Sequence, residues 1–470
     1  MSREKTFAKN TLIITIGKIC TQLITFFLLP LYTGVLSTEE YGTVDLLNTL
    51  VSLLLPIITL QVEEAMFRYL IENRDNDLKK NKVISSAFFS IVIQTSVYIG
   101  IFCIIYPHIH NEYKIFLATN VLAHIYSSFF LQIARGLGKN KNFSIGSFVN
   151  AFVTIISNIF FLLVIKNGAN GMLIGTLLGQ LSSILYIFVS LKIYRYIDIL
   201  GFEKEVSKKL LKYSIPLVPN AISWWIFNAS DRVIVSSILG ISQNGILSAA
   251  SKFSSVYITL YNILNITWVE MISLHIKDKD IENFFNKMFD TLLRVFISLA
   301  IGVIAFMPFV YPIMINKNFS YGYKIVPILI IASLFNVIVS LIGSIYVANK
   351  NTKSIAITSI IAAIINIVVH LMFIKYIGLY AAAVSTLVSF IIMCIYRMID
   401  VRKKYFKIKF NKKIIIKTII ILVILLITYY INNFYCNIIL AVLSIIFAYD
   451  LNKDNLNIII NIFKNKILKK

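Results

Sequence analysis

IAITSIIAAIINIVVHLMFI, residues 355–374, runs for twenty residues without an Asp, Glu, Lys or Arg. About 20 such residues, wound as a helix, cross a hydrocarbon layer of about 30 Å. Working outward, ISLAIGVIAFMPFVYPIMI (297–315) and TIIILVILLITYY (418–430) are runs of the same kind. Backbone groups in lipid must bond within their own segment, so these runs are read as helices. A membrane β-barrel needs short segments of alternating polarity, and the sequence has no such alternation. The 470 residues are 58% hydrophobic and 14% charged, with mean hydropathy +0.80. A soluble chain of that length needs a far more polar skin.

The sequence therefore predicts an all-α integral membrane protein of about 14 transmembrane helices. The first six spans are expected at 11–32, 43–67, 83–106, 113–134, 145–165 and 171–191. Six more are expected at 213–239, 246–271, 291–315, 325–347, 354–374 and 378–399, with two weaker ones at 414–431 and 434–449. The first span is too long for a signal peptide and has no small-residue cleavage site after it, so it is read as retained.

The net charge of +23 follows the membrane. Most of the 45 Lys and Arg fall on the amino tail, the even-numbered loops and the carboxyl tail. Lys114, Lys166, Lys317, Lys324 and Lys375 are the exceptions, in the outer loops or beside them, and Lys18, Arg232 and Lys252 lie inside spans. That bias puts both termini in the cytoplasm and the basic excess against anionic headgroups of the lipid bilayer. Nucleic acid is excluded as a partner, because the basic residues are spread over every inner loop rather than gathered on one face.

Outer connections such as 33–42 and 240–245 are short, and the longest inner ones, near 198–212 and 275–290, hold about one amphipathic helix each. The absence of an extramembrane domain argues against a membrane glycosyltransferase or polysaccharide polymerase. No GxxxxGK[ST] loop occurs, so an ATP-driven pump is excluded, and no cofactor is expected. Cys20, Cys103, Cys394 and Cys436 are isolated, without CxxC spacing, and are expected as buried small hydrophobes.

Residues 9–42 align with 212–245 at a constant offset of 203, from Lys9/Lys212 to Gly42/Gly245, and LSTEEYG matches LGISQNG. Further on, GKNKNFSI (138–145) matches ANKNTKSI (348–355), and GANGMLIGT (168–176) matches GLYAAAVST (378–386), both at offset 210. Two pseudo-symmetric six-helix lobes follow, 1–200 and 201–400, with helices 13 and 14 and a basic tail in 401–470. Parallel repeats of this kind build transporters whose substrate sits between the halves.

Polar residues inside the spans fall in stripes. Thr11, Thr15, Lys18, Gln22 and Thr25 recur at helical spacing in the first span, and Ser248, Lys252, Ser255, Thr259 and Asn262 do so in the eighth. Asn220, Trp224, Asn228 and Asp231 share a face of the seventh, with Arg232 beside them, and Asp45, Asn48 and Ser52 line the second. A mid-helix Lys or Arg facing lipid costs about 2.5–3.5 kcal/mol even on insertion scales, so these stripes are expected to face protein or a hydrated cavity. Lys18, Arg232 and Lys252 are the candidate substrate-binding cations. Gln22, Asn48, Asn220, Asn228, Ser255 and Asn262 are the cavity polar residues, and Asp45 and Asp231 the charge partners or ion-coupling sites. Glu63, Glu64 and Arg68 read as a solvated cluster at the inner end of the second span. His124 and His370 read as hydrogen-bonded bundle residues, and Trp224, Trp225 and Trp268 as belt anchors or sugar-stacking surfaces.

KNTLIITIGKICTQLITFFLLPLYTGVLSTEEYG (9–42) resembles the first helix and loop of the polysaccharide transporter family. These are flippases of the O-antigen, capsule and teichuronic acid type, within the multidrug/oligosaccharidyl-lipid/polysaccharide exporter superfamily. LLKYSIPLVPNAISWWIFNASDRVIVSSILGISQNGILSAASKFS (210–254) resembles that family's seventh and eighth helices, and NIVVHLMFIKYIGLYAAAVSTLVSF (366–390) its eleventh and twelfth. The resemblance implies alternating access, with an undecaprenyl-diphosphate-linked oligosaccharide as cargo in the bacterial cytoplasmic membrane. It also implies a proton or sodium as coupling ion and a polysaccharide polymerase machinery as partner, with no bond-breaking chemistry in the chain itself. A multidrug or cation antiporter of the same superfamily is the rival reading, and it suits an acidic cavity better than this basic one.

Overall fold

The structure, a computed structural model, describes residues 25–73, 76–108, 112–198 and 201–467, leaving aside the side chains of 227, 228, 266 and those beyond 453. Every regular element among them is helical. The chain forms two compact units, Met1–Ser236 and Ser237–Lys470.

The first unit holds α1 (Leu29–Val35), α2 (Thr38–Thr59), α3 (Val62–Glu72), α4 (Asp77–Ile105), α5 (Lys114–Gly136), α6 (Asn140–Phe160), α7 (Gly168–Ser190), α8 (Lys204–Ser214) and most of α9 (Val218–Ile238). The second holds α10 (Ile241–His275), α11 (Ile281–Met314), α12 (Val326–Ala348), α13 (Thr352–Ile377), α14 (Tyr380–Lys404), α15 (Lys412–Ile431) and α16 (Phe434–Ile467). Eleven of the described helices are long and apolar enough to cross a membrane, namely α2, α4–α7 and α11–α16. Helices α9 and α10 are long enough, at 21 and 35 residues, but their polar stripes lower their apolarity. These two carry the seventh and eighth expected spans, and most of the first lies outside the described residues. The chain is thus a multi-pass membrane protein.

The outer connection expected at 33–42 tightens to Leu36–Ser37, because Ser37 starts α2 at once. Its Oγ accepts from Glu40 N at 3.1 Å while Glu40 Oε2 accepts from Ser37 N at 2.9 Å, a reciprocal cap that satisfies two helix-end donors. The second span, expected as one helix over 43–67, is broken. Thr59 Oγ1 donates to Leu55 O and accepts from Gln61 N, and Leu60 and Gln61 both take left-handed conformations (φ 49° and 60°). Non-glycine residues hold that geometry at a cost of about 1–2 kcal/mol each, so the break is an imposed feature rather than a frayed end.

The first unit's core joins Val62, Ala65, Met66 and Leu70 of α3 to Ile84, Ala87 and Ile91 of α4 and Val121, Ile125, Phe129 and Ile133 of α5. Leu210 closes it from amphipathic α8. That helix is tied to α4 by Ser90 Oγ donating to Ser207 Oγ at 3.2 Å and by Glu203 N donating to Ser86 Oγ at 3.0 Å. Beside this core, α7 presents Gly175 and Gly179 to α6 and Gly171 to Phe161 just after it. A Cβ on Gly175 would meet Asn158 Oδ1, and one on Gly179 would meet Thr154 Oγ1, so only glycine lets the backbones approach this closely.

In the second unit α12 is the most buried spanning helix, packed between α10 and α14, with α13 on the far side of α14. The stripe Ala381, Ser385 and Ser389 on α14, each 0% exposed, falls on Gly171, Gly175 and Gly179 at the offset of 210. The small-residue stretches matched in the sequence are thus buried at helix contacts in both places. Helices α15 and α16 pack on α11: Arg294 Nη1 donates to Leu451 O at 3.3 Å and Asn452 Nδ2 to Ser298 Oγ at 2.8 Å. Tyr323, before α12, stacks on Tyr429 of α15 with ring centroids 4.2 Å apart.

Of the cysteines, Cys394 is buried as expected, but Cys103 and Cys436 are exposed. Cys20 lies outside the described residues.

Candidate functional site

Two polar faces stand out, one in each unit. In the first, α9 lies against α2. Arg232 Nε donates to Asp45 Oδ2 at 2.8 Å, an ion pair whose side chains are only 22% and 15% exposed. Trp225 Nε1 donates to Thr49 O at 3.0 Å and Ser52 Oγ at 3.1 Å. Ascending numbers on one helix meet descending numbers on the other, so α2 and α9 run antiparallel. The seven-residue steps Trp225 to Arg232 and Asp45 to Ser52 keep both bonds on one face of each helix, two turns apart. Asp231 is half-buried, and Asn48 and Asn220 are exposed. Thus Asp45 and Arg232 are brought together, and Ser52 is a partner of Trp225. Lys18 and Gln22 lie outside the described residues, as does the side chain of Asn228.

In the second unit, α10 divides into two faces. Ala249, Ala250, Phe253, Tyr257, Tyr261 and Trp268 are buried, with Tyr257 Oη donating to Phe296 O at 2.9 Å and Trp268 Nε1 to Leu341 O at 3.1 Å. Lys252, Ser255 and Thr259 are half-buried and Asn262 is exposed, on the side away from those anchors. Ser255 Oγ donates to Ser251 O and Thr259 Oγ1 to Ser255 O, which leaves their oxygens able to accept. Of the three tryptophans, Trp268 is 3% exposed in the core and Trp225 is an inter-helix bond, so neither is a belt anchor, whereas Trp224 is 49% exposed.

His124 bonds through Nδ1 to Gln180 Nε2 at 2.9 Å, and Gln180 Oε1 accepts from Asn150 at 3.1 Å, a polar chain across α5, α7 and α6. His370 is fully buried on α13, one turn from Asn366, whose amide donates to Thr386 Oγ1 at 3.2 Å.

Two groups differ from the sequence reading. Glu63 is not solvated: it is 3% exposed, whereas Arg68 is at the surface paired with Glu72 at 2.9 Å. The second is Arg397 on α14, 4% exposed, which the sequence reading did not single out. Its Nη1 donates to Val339 O at 2.9 Å, and its Nε and Nη2 donate to Thr358 Oγ1 at 3.1 and 3.0 Å. The signal available in sequence was its place one helical face away from the run Arg402–Lys404, within an otherwise apolar stretch.

The polysaccharide biosynthesis protein family matches residues 7–274, more than half of the chain and including all of α2 and α9. The chain belongs to that family. Curated relatives are distant: an uncharacterized membrane protein of Methanocaldococcus jannaschii is 24% identical over 75% of this chain and 88% of its own. Lsg locus putative protein 1 of Haemophilus influenzae is 24% identical over 55% of this chain and 63% of its own. Among solved structures, the lipid II flippase MurJ in an inward closed conformation matches with TM-score 0.72 and 19% identity, over 95% of this chain and all of that one. An inward-facing multidrug resistance MATE transporter of the MOP superfamily matches with TM-score 0.64 and 12% identity, over 83% and 99%. These likenesses show the fold that this member of the polysaccharide biosynthesis protein family shares with transporters.

Proposed function

We propose that this chain is a flippase that moves an undecaprenyl-diphosphate-linked oligosaccharide across the bacterial cytoplasmic membrane by alternating access, for cell-surface polysaccharide synthesis. The observation that carries the reading is the set of cations held within polar helix faces, Arg232 on α9 and Lys252 on α10, in a family named for polysaccharide biosynthesis. A diphosphate leaving water needs charge-assisted donors to replace its hydration, and Lys and Arg supply them. Sugar hydroxyls need the mixed donors and acceptors that Asn48, Asn220, Ser255 and Asn262 offer. Lys18, Gln22 and Asn228 extend the same set by sequence. Asp45 holds Arg232 in place and Asp231 stands beside it as a charge partner. The Lys and Arg bias supports cytoplasmic termini, and the 1–200 and 201–400 repeats are the lobes that alternate. A proton or sodium gradient supplies direction, and the polymerase machinery receives the unit outside. The chain acts as a carrier and not as an enzyme.

The test is deletion in the native host, with lipid-linked repeat units assigned to a leaflet by a membrane-impermeant lectin or oxidant. Accumulation on the cytoplasmic leaflet supports the flippase. Normal surface polysaccharide with altered drug tolerance overturns it in favour of the antiporter, the reading that the likeness to MATE transporters supports.

A further inference from the structure

We propose that Glu63 is a proton-binding site that couples protonation to the bend between α2 and α3. The inference deepens the flippase reading by naming the proton as coupling ion, and rests on that reading only for what the bend accomplishes in transport.

Helix α3 lies beyond the spanning helix α2 and is not itself among the spanning helices. Glu63 sits in its first turn, next to Val62 and one turn from Met66, both 0% exposed members of the apolar core. Glu63 is 3% exposed, and its Oε2 is buried without a hydrogen-bond partner. A carboxylate needs several donors when removed from water, and here the anion would keep one oxygen bare in an apolar setting. The neutral acid suits the site far better. Burial, the largest cause, pushes the Glu63 carboxyl up to about 7 against the opposing pull of hydrogen bonds from its own backbone N–H and the Thr59 hydroxyl, with Glu64 adding a smaller repulsion upward.

No neighbouring cation answers the charge among the described residues. On α3, Arg68 pairs with Glu72 at the surface, and Glu64 accepts from Gln132 Nε2 at 2.7 Å. On α5, Arg135 lies over the Phe67 ring at 4.3 Å and His124 bonds Gln180. On α4, Lys80 pairs with Asp77, Lys82 with Glu203, and Lys79 is exposed. On α8, Lys204, Glu205, Lys208, Lys209 and Lys212 are all exposed.

The geometry that links this acid to motion is the break immediately before it. Leu60 and Gln61 hold consecutive left-handed conformations, three and two residues from Glu63. The matching stretch of the other repeat has no such device. There α10 is one unbroken helix of 35 residues, and the positions matching Leu60, Gln61 and Glu63 at offset 203 are Ile263, Leu264 and Ile266. Buried acid and broken helix occur together in one half and are missing together from the other. Loss of the proton therefore favours an arrangement in which α3 turns about Leu60–Gln61 and carries the carboxylate to water.

The experiment uses the full-length purified chain in lipid nanodiscs, without substrate. Infrared difference spectra are taken across neutral pH on wild type, Glu63→Gln and Glu64→Gln. In parallel, spin labels at Ile57 and Ile71, both exposed, report the α2–α3 distance. A protonated-carboxyl band that disappears as pH rises through about 7, with a shift in the distance distribution, is expected for wild type and Glu64→Gln. Glu63→Gln, which mimics the neutral acid, loses that band and holds the low-pH distance throughout. A band that persists in Glu63→Gln, or distances that shift with pH in that variant as in wild type, overturns the proposal. Because no cargo is present, failure of the proton site leaves the flippase reading standing. Failure of the leaflet test in turn leaves the titration unchanged.

Discussion

Arg232 and Asp45 make the sharpest test of how the first unit's polar face is built. At 2.8 Å, with an effective dielectric of about 20, two unit charges attract by about 6 kcal/mol before desolvation is counted. Desolvation takes back most of that, and exposures of 22% and 15% place the pair between two measured regimes. Exposed pairs couple by about 0.2–1 kcal/mol, whereas breaking a fully buried pair costs about 3–5 kcal/mol. A coupling of about 1.5–3 kcal/mol is expected here. The assay is a double-mutant cycle, Asp45→Asn with Arg232→Gln, read by reversible unfolding in mixed micelles. Each single change is expected to destabilise, and the double change to cost less than their sum. If the two add to within about 0.5 kcal/mol, the ion pair does not hold α2 to α9 and the reasoning fails. The swap Asp45→Arg with Arg232→Asp then separates scaffold from cargo. Stability is expected to return in part while transport stays lost, because the cation has moved to α2. A swapped chain that transports as well as wild type would refute a cargo-facing role for Arg232.

Lys252→Ala is expected to abolish transport while expression and thermal midpoint stay near wild type, since the side chain lies on the less buried face of α10; a matched loss of folded protein would argue for a structural lysine. Gly175→Val drives a Cβ into Asn158 Oδ1, so overpacking by at least about 1–3 kcal/mol should appear as a lower unfolding midpoint. Arg397→Leu strips donors from the Val339 carbonyl and the Thr358 hydroxyl, and a loss of about 2–4 kcal/mol is expected from those two buried acceptors in the same unfolding assay.

The long apolar runs made the fold legible, because a helix of about 20 apolar residues is the simplest answer to a bilayer. The twin small-residue stretches were legible for a similar reason: each is specified within a few neighbouring residues. The site was legible only as polarity at helical spacing. That Asp45 would meet Arg232 depends on how α2 packs on α9, 187 residues away in the chain. Arg397 was passed over because its acceptors, Val339 and Thr358, come from two other helices, while its own segment leads into a basic run that suits the inner surface. Glu63 was misplaced because hydropathy places an acid at a span's end in water, and only the break at Leu60–Gln61 turns it into the core.

The sequence repeat is closest at the small-residue stretches and diverges at the charges. Gly171, Gly175 and Gly179 return as Ala381, Ser385 and Ser389, all small, so the close approach of neighbouring helices is preserved. At offset 203, by contrast, Asp45 becomes Ser248, Thr49 becomes Lys252 and Arg232 falls on Leu29. A carrier with identical halves would present the same field from either side, and its direction would be set by gradients alone. In the flippase proposed above, an anion of the first repeat paired with a cation of the second, a buried acid in the first alone and Lys252 in the second alone let the two repeats answer differently to one cargo. An anionic cargo responds to exactly this difference, because its binding to each half scales with local charge, while a neutral drug would respond chiefly to shape. Exchanging Thr49 and Lys252 between the halves, leaving every small-residue contact intact, should therefore impair transport of an anionic lipid carrier far more than it lowers the unfolding midpoint. Equal losses in both would mean that the asymmetry serves packing.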